Sequence, residues 1–430
     1  MSLFFYRLIG ILFRAGLRPF YDVEVKGLGN YSETPSTLIV ANHKRDLDSI
    51  LLASLFHFHR DLLRPGKPIS FMGSKSLFEP GFLGTWLNAP EFVRKILVFI
   101  PLDRILRGLN AYPIGNLEFR SIPTHEALRL IAKRDGNCKI REIITEDSMD
   151  RVADRLSLET PEMRIKDYLD QKAYPRKKIK LQWLRKPYRK TLKRNTLELV
   201  KAQLGTFVKL LNEGGILYIT PEGQLSTNGL LGPLKDSLLI LIEETDPTIT
   251  VTPTNITYDF MTAGKARIFV NVGEEMKDFS GLSQKQKKKS IRRSILELTT
   301  VTMSQLGSNQ LVRLVENETL RISEDSLQER VLEKLECLKD EDLFFDERLL
   351  DTRKAARRWE LFLEYCLREE ILTPESGGKL AIDPELGYDS SASDRLNRDE
   401  RIGYKQDPVR YCNNELSALS QIDLVSLPRK

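Results

Sequence analysis

The sequence predicts an α/β protein with a mostly parallel central sheet flanked by helices, with a helical insertion and a helical C-terminal extension. Through residues 21–104 and 195–280, apolar runs of strand length alternate with segments of helical spacing, which is typical of α/β folds. Residues 105–194 and 281–372 are charged and helical in pattern. A length of 430 residues fits two or three domains, and 41% hydrophobic residues exclude a wholly disordered chain.

The first twenty residues are predicted to form an amphipathic helix. Arg7, Arg14 and Arg18 share one face of such a helix, while leucines and phenylalanines cover much of the rest. The helix could lie in the headgroup plane of a membrane or pack on the protein's own core. We favour the membrane, because the apolar residues are too many for a narrow core stripe. No apolar run reaches the length of a bilayer span, and no signal-peptide cleavage site follows. We therefore expect a peripheral protein on the cytoplasmic face of a membrane.

The predicted core then follows as strands and helices in order. Pro253 lies inside a strand-like run and predicts an edge or bulge position, because proline cannot donate to a sheet ladder. The predicted elements are strands at 21–28 and 37–41, a helix at 47–58, a strand at 69–75, short helices and turns at 77–100, a strand at 96–102, a helix at 196–212 that ends at Gly214 and Gly215, and strands at 216–220, 249–258 and 266–272.

The insertion at 105–194 contains predicted helices at 124–134, 146–158 and 162–172. It ends in residues 172–194, where eleven Lys and Arg occur without Asp or Glu. This segment could bind anionic lipid or nucleic acid, although a solvated basic face is the commonest explanation. A net charge of +6 is small for a dedicated nucleic-acid-binding protein, so we expect no nucleic-acid partner. Residues 373–430 are polar and predict a loosely ordered tail.

His43 is the first candidate catalytic residue. It lies in Asn-His-Lys-Arg-Asp-Leu-Asp, between a predicted buried strand and a predicted helix. On one helix, His43 and Asp48 would lie about 140° apart, so they meet only if His43 is in the loop and Asp48 in the first turn. A carboxylate bound to one imidazole nitrogen leaves the other nitrogen free as a base. Asp46 is a competing carboxylate, and a capping Asp beside a solvated His is the alternative interpretation.

A second motif, Thr-Pro-Glu-Gly-Gln-Leu-Ser, occupies residues 220–226 after a predicted strand. Its proline and glycine predict a tight turn at the carboxyl end of that strand, where α/β sheets bind ligands. Glu222 is then presented at the sheet edge, next to Gly223, whose amide can approach a ligand closely. An ordinary strand–turn–helix corner is the alternative.

Two basic residues are predicted to end strands. Arg104 follows the predicted strand at 96–102, where a guanidinium can make bidentate contacts to a phosphate. A salt bridge to Asp103, or exposure to solvent, is equally compatible with the sequence. Lys75 closes the predicted strand at 69–75 in a similar way.

In this order, the segments resemble the glycerolipid acyltransferase family, which includes glycerol-3-phosphate and lysophosphatidic acid acyltransferases. The resemblance covers residues 1–104 and 195–275 and implies a His–Asp base at His43 and Asp48. It also implies a phosphate-holding site at Arg104 and at the loop of Glu222 and Gly223. The motifs that carry it are Asn-His-x4-Asp at 42–48, the strand that ends in Lys75, Pro-x-x-Arg at 101–104, Pro-Glu-Gly-x-x-Ser at 221–226 and Val-x-Pro at 251–253.

Three positions depart from the family pattern. Arg45 stands where the family has serine, Thr220 where it has phenylalanine, and residues 224–225 are Gln-Leu where it has Thr-Arg. The missing arginine removes one phosphate donor, and Arg45 or Lys44 could substitute for it. Arg45 is therefore also a candidate phosphate-binding residue.

The resemblance implies an O-acyltransferase of phospholipid biosynthesis. It would move a fatty acyl group from a thioester donor, acyl-CoA or acyl carrier protein, to the hydroxyl of 1-acyl-sn-glycerol-3-phosphate. Glycerol-3-phosphate or another lysophospholipid as acceptor stays open, as does a non-catalytic lipid-binding protein of the same fold. We expect no cofactor and no metal, because His57 and His59 have no third ligand nearby in sequence and the four cysteines lie far apart.

Overall fold

The computed structural model describes residues 3–60, 65–78, 102–114, 121–156, 158, 160, 162–170, 178–246, 249–387 and 408–420. The chain divides into two compact units. Unit 1 comprises Met1–Met72, Pro80–Tyr112 and Phe207–Lys430, and unit 2 comprises Gly73–Glu79 and Pro113–Thr206. The domain bounds predicted from the sequence stay predictions.

The strands include those predicted at 21–28, 37–41, 69–75, 216–220, 249–258 and 266–272, together with several short strands that were not predicted. They are β1 (Tyr21–Lys26), β2 (Thr37–Ala41), β3 (Ile69–Ser74), β4 (Ala111–Ile114), β5 (Ser121–Pro123), β6 (Lys178–Lys180), β7 (Ile216–Ile219), β8 (Thr250–Asp259), β9 (Ala266–Val272), β10 (Thr300–Val301), β11 (Arg321–Ser323), β12 (Phe344–Phe345), β13 (Leu372–Glu375) and β14 (Lys379–Ile382).

The helices lie between and after these strands. They are α1 (Leu3–Leu17), α2 (Asp48–His57), α3 (Leu102–Gly108), α4 (Thr124–Asp135), α5 (Ile140–Ile143), α6 (Met149–Leu156), α7 (Ile165–Asp170), α8 (Lys186–Asn212), α9 (Asp236–Glu244), α10 (Gln284–Glu297), α11 (Met303–Glu316), α12 (Glu324–Lys339), α13 (Thr352–Arg368) and α14 (Pro408–Ser420).

The central sheet is mixed and mostly parallel, with helices flanking it. Its seven strands follow the order β1-β9-β8-β2-β7-β3-β4, and the β8–β9 pair is antiparallel. Strands β1 and β9, β8 and β2, β2 and β7, and β7 and β3 pair in parallel. Every residue of β2, β7 and β8 is buried, as expected of central strands covered on both faces.

The structure places Pro253 in a central strand rather than at a sheet edge, but the predicted bulge lies beside it. Thr254 pairs with Val272 whereas Val251 bridges Met276, so the segment after β9 has one residue more than β8 over this stretch. Val40 of β2 lies opposite Pro253 in register, and the Pro253 carbonyl accepts a hydrogen bond of 2.9 Å from the Gly273 N–H. The N–H and C=O groups of one residue point to the same side of a strand. The missing N–H of Pro253 therefore faces the side where β9 has just ended at Val272, and no ladder bond to β2 is lost.

Helix α8 is longer than predicted. It begins at Lys186 rather than at residue 196, because Pro187 is tolerated in a first helical turn and Lys and Arg are good helix formers. Its other end lies at Asn212, directly before Gly214 and Gly215, as predicted. Much of the basic segment 178–194 is therefore a short strand and the start of this helix, whereas residues 172–177 lie outside the described part of the chain.

The C-terminal part of unit 1 has a hydrophobic core of its own. This core is formed by α11, α12, α13 and α14 with short strands, around large side chains such as Trp359 and Phe362. Within the predicted loose tail at 373–430, the described residues 373–387 and 408–420 form regular structure, which differs from the prediction. Strands β13 and β14 pair in antiparallel fashion, and α14 buries Val409, Cys412 and Leu416. The apolar residues of α14 recur at helical spacing. The mean composition of residues 373–430 is polar and therefore does not show this pattern.

Unit 2 also has its own hydrophobic core. Strands β5 and β6 pair in antiparallel fashion. The helix predicted at 124–134 is present as α4, whereas those predicted at 146–158 and 162–172 are shorter than expected. Their inward residues and Trp183 belong to one hydrophobic cluster. The core includes Ile122, Ala127, Leu128, Ile131, Ile140, Ile143, Val152, Leu156, Ile165, Tyr168 and Leu192.

Helix α1 packs against α2 with one face and exposes another. Tyr6 and Leu17 are buried, and a side chain at Gly10 would approach Phe58 to 2.9 Å. The Tyr6 hydroxyl donates to the Ile69 carbonyl at 3.2 Å. The opposite face presents exposed large apolar side chains at helical spacing, namely Phe4, Leu8, Ile11 and Leu12. Leu3, the first residue of the helix, is exposed as well. In the described part of the chain, no helix is both long and apolar enough to cross a membrane.

Candidate functional site

The end of strand β2 is tied to β8 by a side chain. The Asn42 amide donates to the Ile256 carbonyl at 3.0 Å and accepts from the Ile256 N–H at 2.8 Å. With these two bonds, the Asn42 side chain takes the place of one more backbone pair between β2 and β8. The main chain can therefore leave the sheet after Ala41 while Asn42 stays buried. The next residue, His43, therefore begins a loop at the carboxyl end of a central strand.

The structure brings His43 and Asp48 together. The distance from His43 Nδ1 to Asp48 Oδ2 is 3.3 Å, with the His43 side chain 18% exposed and Asp48 fully buried. Asp48 is the first residue of α2, so His43 lies in the loop and Asp48 in the first turn. Asp46, the competing carboxylate, is exposed. A carboxylate can only accept, so Nδ1 carries the proton and the Nε2 lone pair is available as a base.

Asp48 is held by further donors. Its Oδ2 also accepts from the backbone N–H groups of Lys44 and Arg45, at 2.7 and 2.8 Å. Its Oδ1 accepts from the Tyr258 hydroxyl at 2.5 Å. Burial raises the pKa of the Tyr258 phenol well above its usual range, and the Asp48 charge adds to that rise, so the phenol stays a donor. The carboxylate is therefore fixed in position before any substrate binds.

Glu222 braces the His43 backbone. Its Oε1 accepts from the His43 N–H at 3.0 Å, and its Oε2 accepts from the Gly232 N–H at 2.6 Å. Burial raises the pKa of the Glu222 carboxyl, while the two N–H donors and the Lys44 ammonium oppose the rise. The Ser226 N–H donates to the His43 carbonyl at 2.7 Å. The loop after β7 therefore holds both polar groups of the His43 backbone.

The turn that presents Glu222 requires glycine at its end. The Gly223 N–H donates to the Thr220 carbonyl at 3.0 Å and closes the turn, with Gly223 at a φ of +66°. This left-handed conformation favours glycine, because it strains residues with a Cβ. Since the Glu222 carboxylate is engaged with two backbone amides, its contacts position the loop rather than reach outward. The predicted role of Glu222 and Gly223 in phosphate binding stays a prediction.

Lys44 and Arg45 point to different partners. Lys44 is buried and forms an ion pair with Glu415 of α14. The Arg45 guanidinium lies 4.5 Å from the centre of the Tyr258 ring and donates to the Tyr21 hydroxyl at 3.3 Å. The cation of Arg45 therefore lies beside the tyrosine that holds Asp48, whereas that of Lys44 is neutralised by a carboxylate.

Arg104 has a different local structure from that predicted, whereas Lys75 lies at the end of β3, within one residue of the predicted position. Arg104 lies on α3 and is exposed, and an ion pair of 2.8 Å between Asp103 and Arg107 supports that helix. It is therefore not at a strand end, and residues 96–101 of the predicted strand lie outside the described part of the chain. Lys75 starts a single 3₁₀ turn directly after β3, and its side chain also lies outside that part.

Two features of the site were not predicted from the sequence. Tyr258 lies 210 residues after Asp48, and Glu415 lies 371 residues after Lys44. The position of Tyr258 near the carboxyl end of a strand neighbouring β2 is the one sequence signal that could have suggested it.

Among the described residues, no three His, Cys, Asp or Glu side chains come together in a way that could hold a metal ion.

Comparison with known proteins gives little further information. The fold is similar to that of the 1-acyl-sn-glycerophosphate (LPA) acyltransferase PlsC from Thermotoga maritima, with 15% sequence identity and a TM-score of 0.34. The match covers 67% of this chain and 75% of that chain. No protein-family model matches the sequence, and no curated protein matches it.

Proposed function

We propose that the protein is an O-acyltransferase in which His43 is the general base and Asp48 orients it. The observation that carries the proposal is the contact of 3.3 Å between His43 Nδ1 and a fully buried carboxylate, with part of the imidazole exposed. A thioester donor is already activated, so no enzyme nucleophile is required. The acceptor hydroxyl must lose its proton as it attacks, and a base at Nε2 would remove it.

The proposed reaction has two steps, addition of the acceptor oxygen to the thioester and loss of the thiolate. The acceptor oxygen attacks the thioester carbonyl carbon while His43 Nε2 takes the hydroxyl proton. Asp48 stabilises the resulting imidazolium. The tetrahedral intermediate then expels the thiolate, breaking the carbon–sulfur bond, and the imidazolium returns the proton to sulfur. The products are the acyl ester and the free thiol of coenzyme A or acyl carrier protein.

We propose 1-acyl-sn-glycerol-3-phosphate as the acceptor, with glycerol-3-phosphate or another lysophospholipid as alternatives. The support is the order of the motifs, which resembles that of glycerolipid acyltransferases. Arg45 is one candidate for the phosphate, because its guanidinium lies close to the tyrosine that contacts Asp48. Arg104 is exposed and offers a second guanidinium. Lys44 is a weaker candidate than the sequence suggested, since Glu415 neutralises it.

We also propose that the protein works at the cytoplasmic face of a membrane, where such an acceptor would reside. The support is the exposed apolar face of α1, on which Phe4 is 72% and Leu12 59% exposed. Arg18, close to the end of this helix, is exposed and could contact lipid phosphates.

The test is acyl transfer by the purified protein. It would be incubated with acyl-CoA and each of the three acceptor types, and the products would be read by mass spectrometry. His43→Ala should lower the rate by about 10²- to 10⁴-fold, the usual contribution of a general base. His125→Ala, on α4 of unit 2, is the matched control and should leave the rate unchanged.

Two results would contradict the proposal. Activity of His43→Ala within about threefold of wild type would remove His43 from the role of base. Absence of turnover with every acceptor, together with binding of the lipid, would favour the non-catalytic lipid-binding alternative.

A further inference from the structure

We propose that Glu415, on the C-terminal helix α14, is a positioning residue for the His43–Asp48 base and acts through Lys44. The inference depends on the proposed function for its kinetic consequence but not for its geometry. It concerns a helix in a segment that the sequence predicts to be a loose tail, far along the chain from the motifs.

The link is a buried ion pair. Lys44 is 7% and Glu415 3% exposed, and the Lys44 ammonium contacts Glu415 Oε1 directly. The ammonium also lies 3.4 Å from the Gly229 carbonyl and 5.5 Å from the centre of the Tyr411 ring. The other oxygen of Glu415 accepts from the Gln305 side chain of α11 at 3.0 Å. Glu415 is therefore itself fixed by a neighbouring helix.

Lys44 connects this pair to the base. Its backbone N–H donates at 2.7 Å to Asp48 Oδ2, the same oxygen that faces His43 Nδ1. A buried ammonium that loses its counter-ion is strongly destabilised and will move toward water. Because the side chain and the amide belong to one residue next to His43, such a movement would disturb the His43–Asp48 contact.

Helix α14 also contacts the loop after β7, which braces His43 from the other side. The Asn414 side chain donates to the Asn228 carbonyl at 3.0 Å. Gly229 has a φ of +81°, and a Cβ there would lie only 2.2 Å from the Tyr411 carbonyl oxygen. Only glycine permits this close approach. The C-terminal helix therefore touches both loops that hold the candidate base, and Glu415 is its charged contact with the first.

The experiment compares Glu415→Gln with Asn413→Ala in the full-length protein. Asn413 accepts a hydrogen bond of 2.9 Å from Asn309 of α11, so its substitution removes one contact of α14 that does not involve Lys44. We expect Glu415→Gln to lower kcat by about 10- to 100-fold, the cost of misplacing a catalytic group. KM should change by less than about threefold, since the substrate contacts remain. Asn413→Ala should leave both unchanged.

A second readout does not depend on activity. In [¹⁵N]histidine-labelled protein, the ring-nitrogen chemical shifts report which nitrogen of each imidazole carries the proton. The sequence has four histidines, so the spectrum of His43→Gln identifies the His43 signals. We expect wild type and Asn413→Ala to carry the proton on Nδ1. Glu415→Gln should show a mixture of tautomers.

The double variant Lys44→Met/Glu415→Gln separates positioning from stability. It leaves no unpaired buried charge, so its melting temperature should recover relative to Glu415→Gln while kcat stays low. The inference is overturned if Glu415→Gln melts earlier but keeps the wild-type kcat and tautomer. If wild type shows no acyl transfer and Glu415→Gln still loses the Nδ1 tautomer, the proposed function fails and the positioning role stands.

Discussion

Asp48 is the residue on which the candidate site is built. It accepts four hydrogen bonds, from the His43 ring, from the Lys44 and Arg45 amides, and from the Tyr258 hydroxyl. Three of these donors come from its own loop, and Tyr258 is the one from a distant strand. A buried carboxylate is costly without such donors, so their number explains how Asp48 can lie fully buried.

The hydroxyl of Tyr258 should matter for catalysis more than its ring. Tyr258→Phe keeps the ring beneath Arg45 but removes the donor to Asp48 Oδ1. We expect kcat to fall by about tenfold, which corresponds to ~1.4 kcal/mol and lies near the lower end of the ~1.5–3 kcal/mol that a hydrogen bond to a charged group contributes. Steady-state kinetics with saturating thioester and acceptor would measure it.

Tyr21→Phe is the control for that substitution. The Tyr21 hydroxyl accepts from Arg45 and belongs to β1, so its loss changes the surroundings of Arg45 without removing a donor to Asp48. Equal losses of kcat in the two variants would contradict a specific role of the Tyr258 hydroxyl.

At the residue scale, the sequence predicted local contacts and missed distant ones. His43 and Asp48 are five positions apart, and the strand-to-helix pattern was enough to expect their approach. Tyr258 and Glu415 reach the site only through strand pairing and helix packing. A periodic pattern indicates that β8 and α14 exist, but it contains no information about which residues of other elements they face.

At the scale of elements, α1 combines the two interpretations that its sequence allowed. Tyr6, Gly10 and Leu17 pack inward, so the helix belongs to the protein's own core. Phe4, Leu8 and Leu12 recur at steps of four and form an exposed stripe. A helix that is apolar on nearly all sides can therefore pack on the core with one face and remain available to lipid with another.

We expect the protein to bind lipid vesicles through the exposed stripe of α1. Phe4→Ser/Leu12→Ser removes the two most exposed side chains of the stripe, which are 72% and 59% exposed. We expect binding to anionic vesicles to weaken by at least about tenfold, because each large apolar side chain contributes ~1.5–3 kcal/mol when fully buried. Cosedimentation at matched salt would measure the change.

Leu350→Ser is the matched control for α1, because Leu350 is 52% exposed and lies near the start of α13. It should bind vesicles as wild type does. If the control weakens binding as much as the α1 variant, or if the α1 variant binds normally, α1 does not dock the protein on lipid.

For the whole molecule, a buried network of charges joins the sheet to the C-terminal helices. Asp259 at the end of β8 pairs with Arg358 of α13 and accepts from the Ser304 N–H of α11 at 3.2 Å. Arg267 of β9 pairs with Asp346, whose side chain lies 4.0 Å from Arg358. Asp259 and Asp346 are fully buried. The C-terminal region is therefore tied to the sheet by charge as well as by apolar packing.

Breaking this network should destabilise the fold. Arg358→Met leaves the Asp259 carboxylate buried without its counter-ion, and we expect a loss of about 3–5 kcal/mol in the free energy of unfolding. Urea denaturation followed by circular dichroism would measure it.

Arg357→Met, one position away on the same helix, is the control. Arg357 pairs with Glu360 at 2.6 Å, and both side chains are more than half exposed, at 66% and 60%. The Arg357→Met substitution should lower the free energy of unfolding by less than about 1 kcal/mol, since water screens the Arg357–Glu360 pair. A similar cost for the two substitutions would mean that the Asp259–Arg358 pair contributes no more than a surface one.

The sequence by itself determined the α/β class, most strands of the core and the local approach of His43 to Asp48, since apolar periodicity and short-range turn geometry are properties of neighbouring residues. Only the tertiary structure decided that Pro253 lies in a central strand, that Arg104 lies on an exposed helix, and that the C-terminal helix reaches the candidate base. The physical reason is that strand order, side-chain partners and the pairing of buried charges arise when segments far apart in the chain pack together.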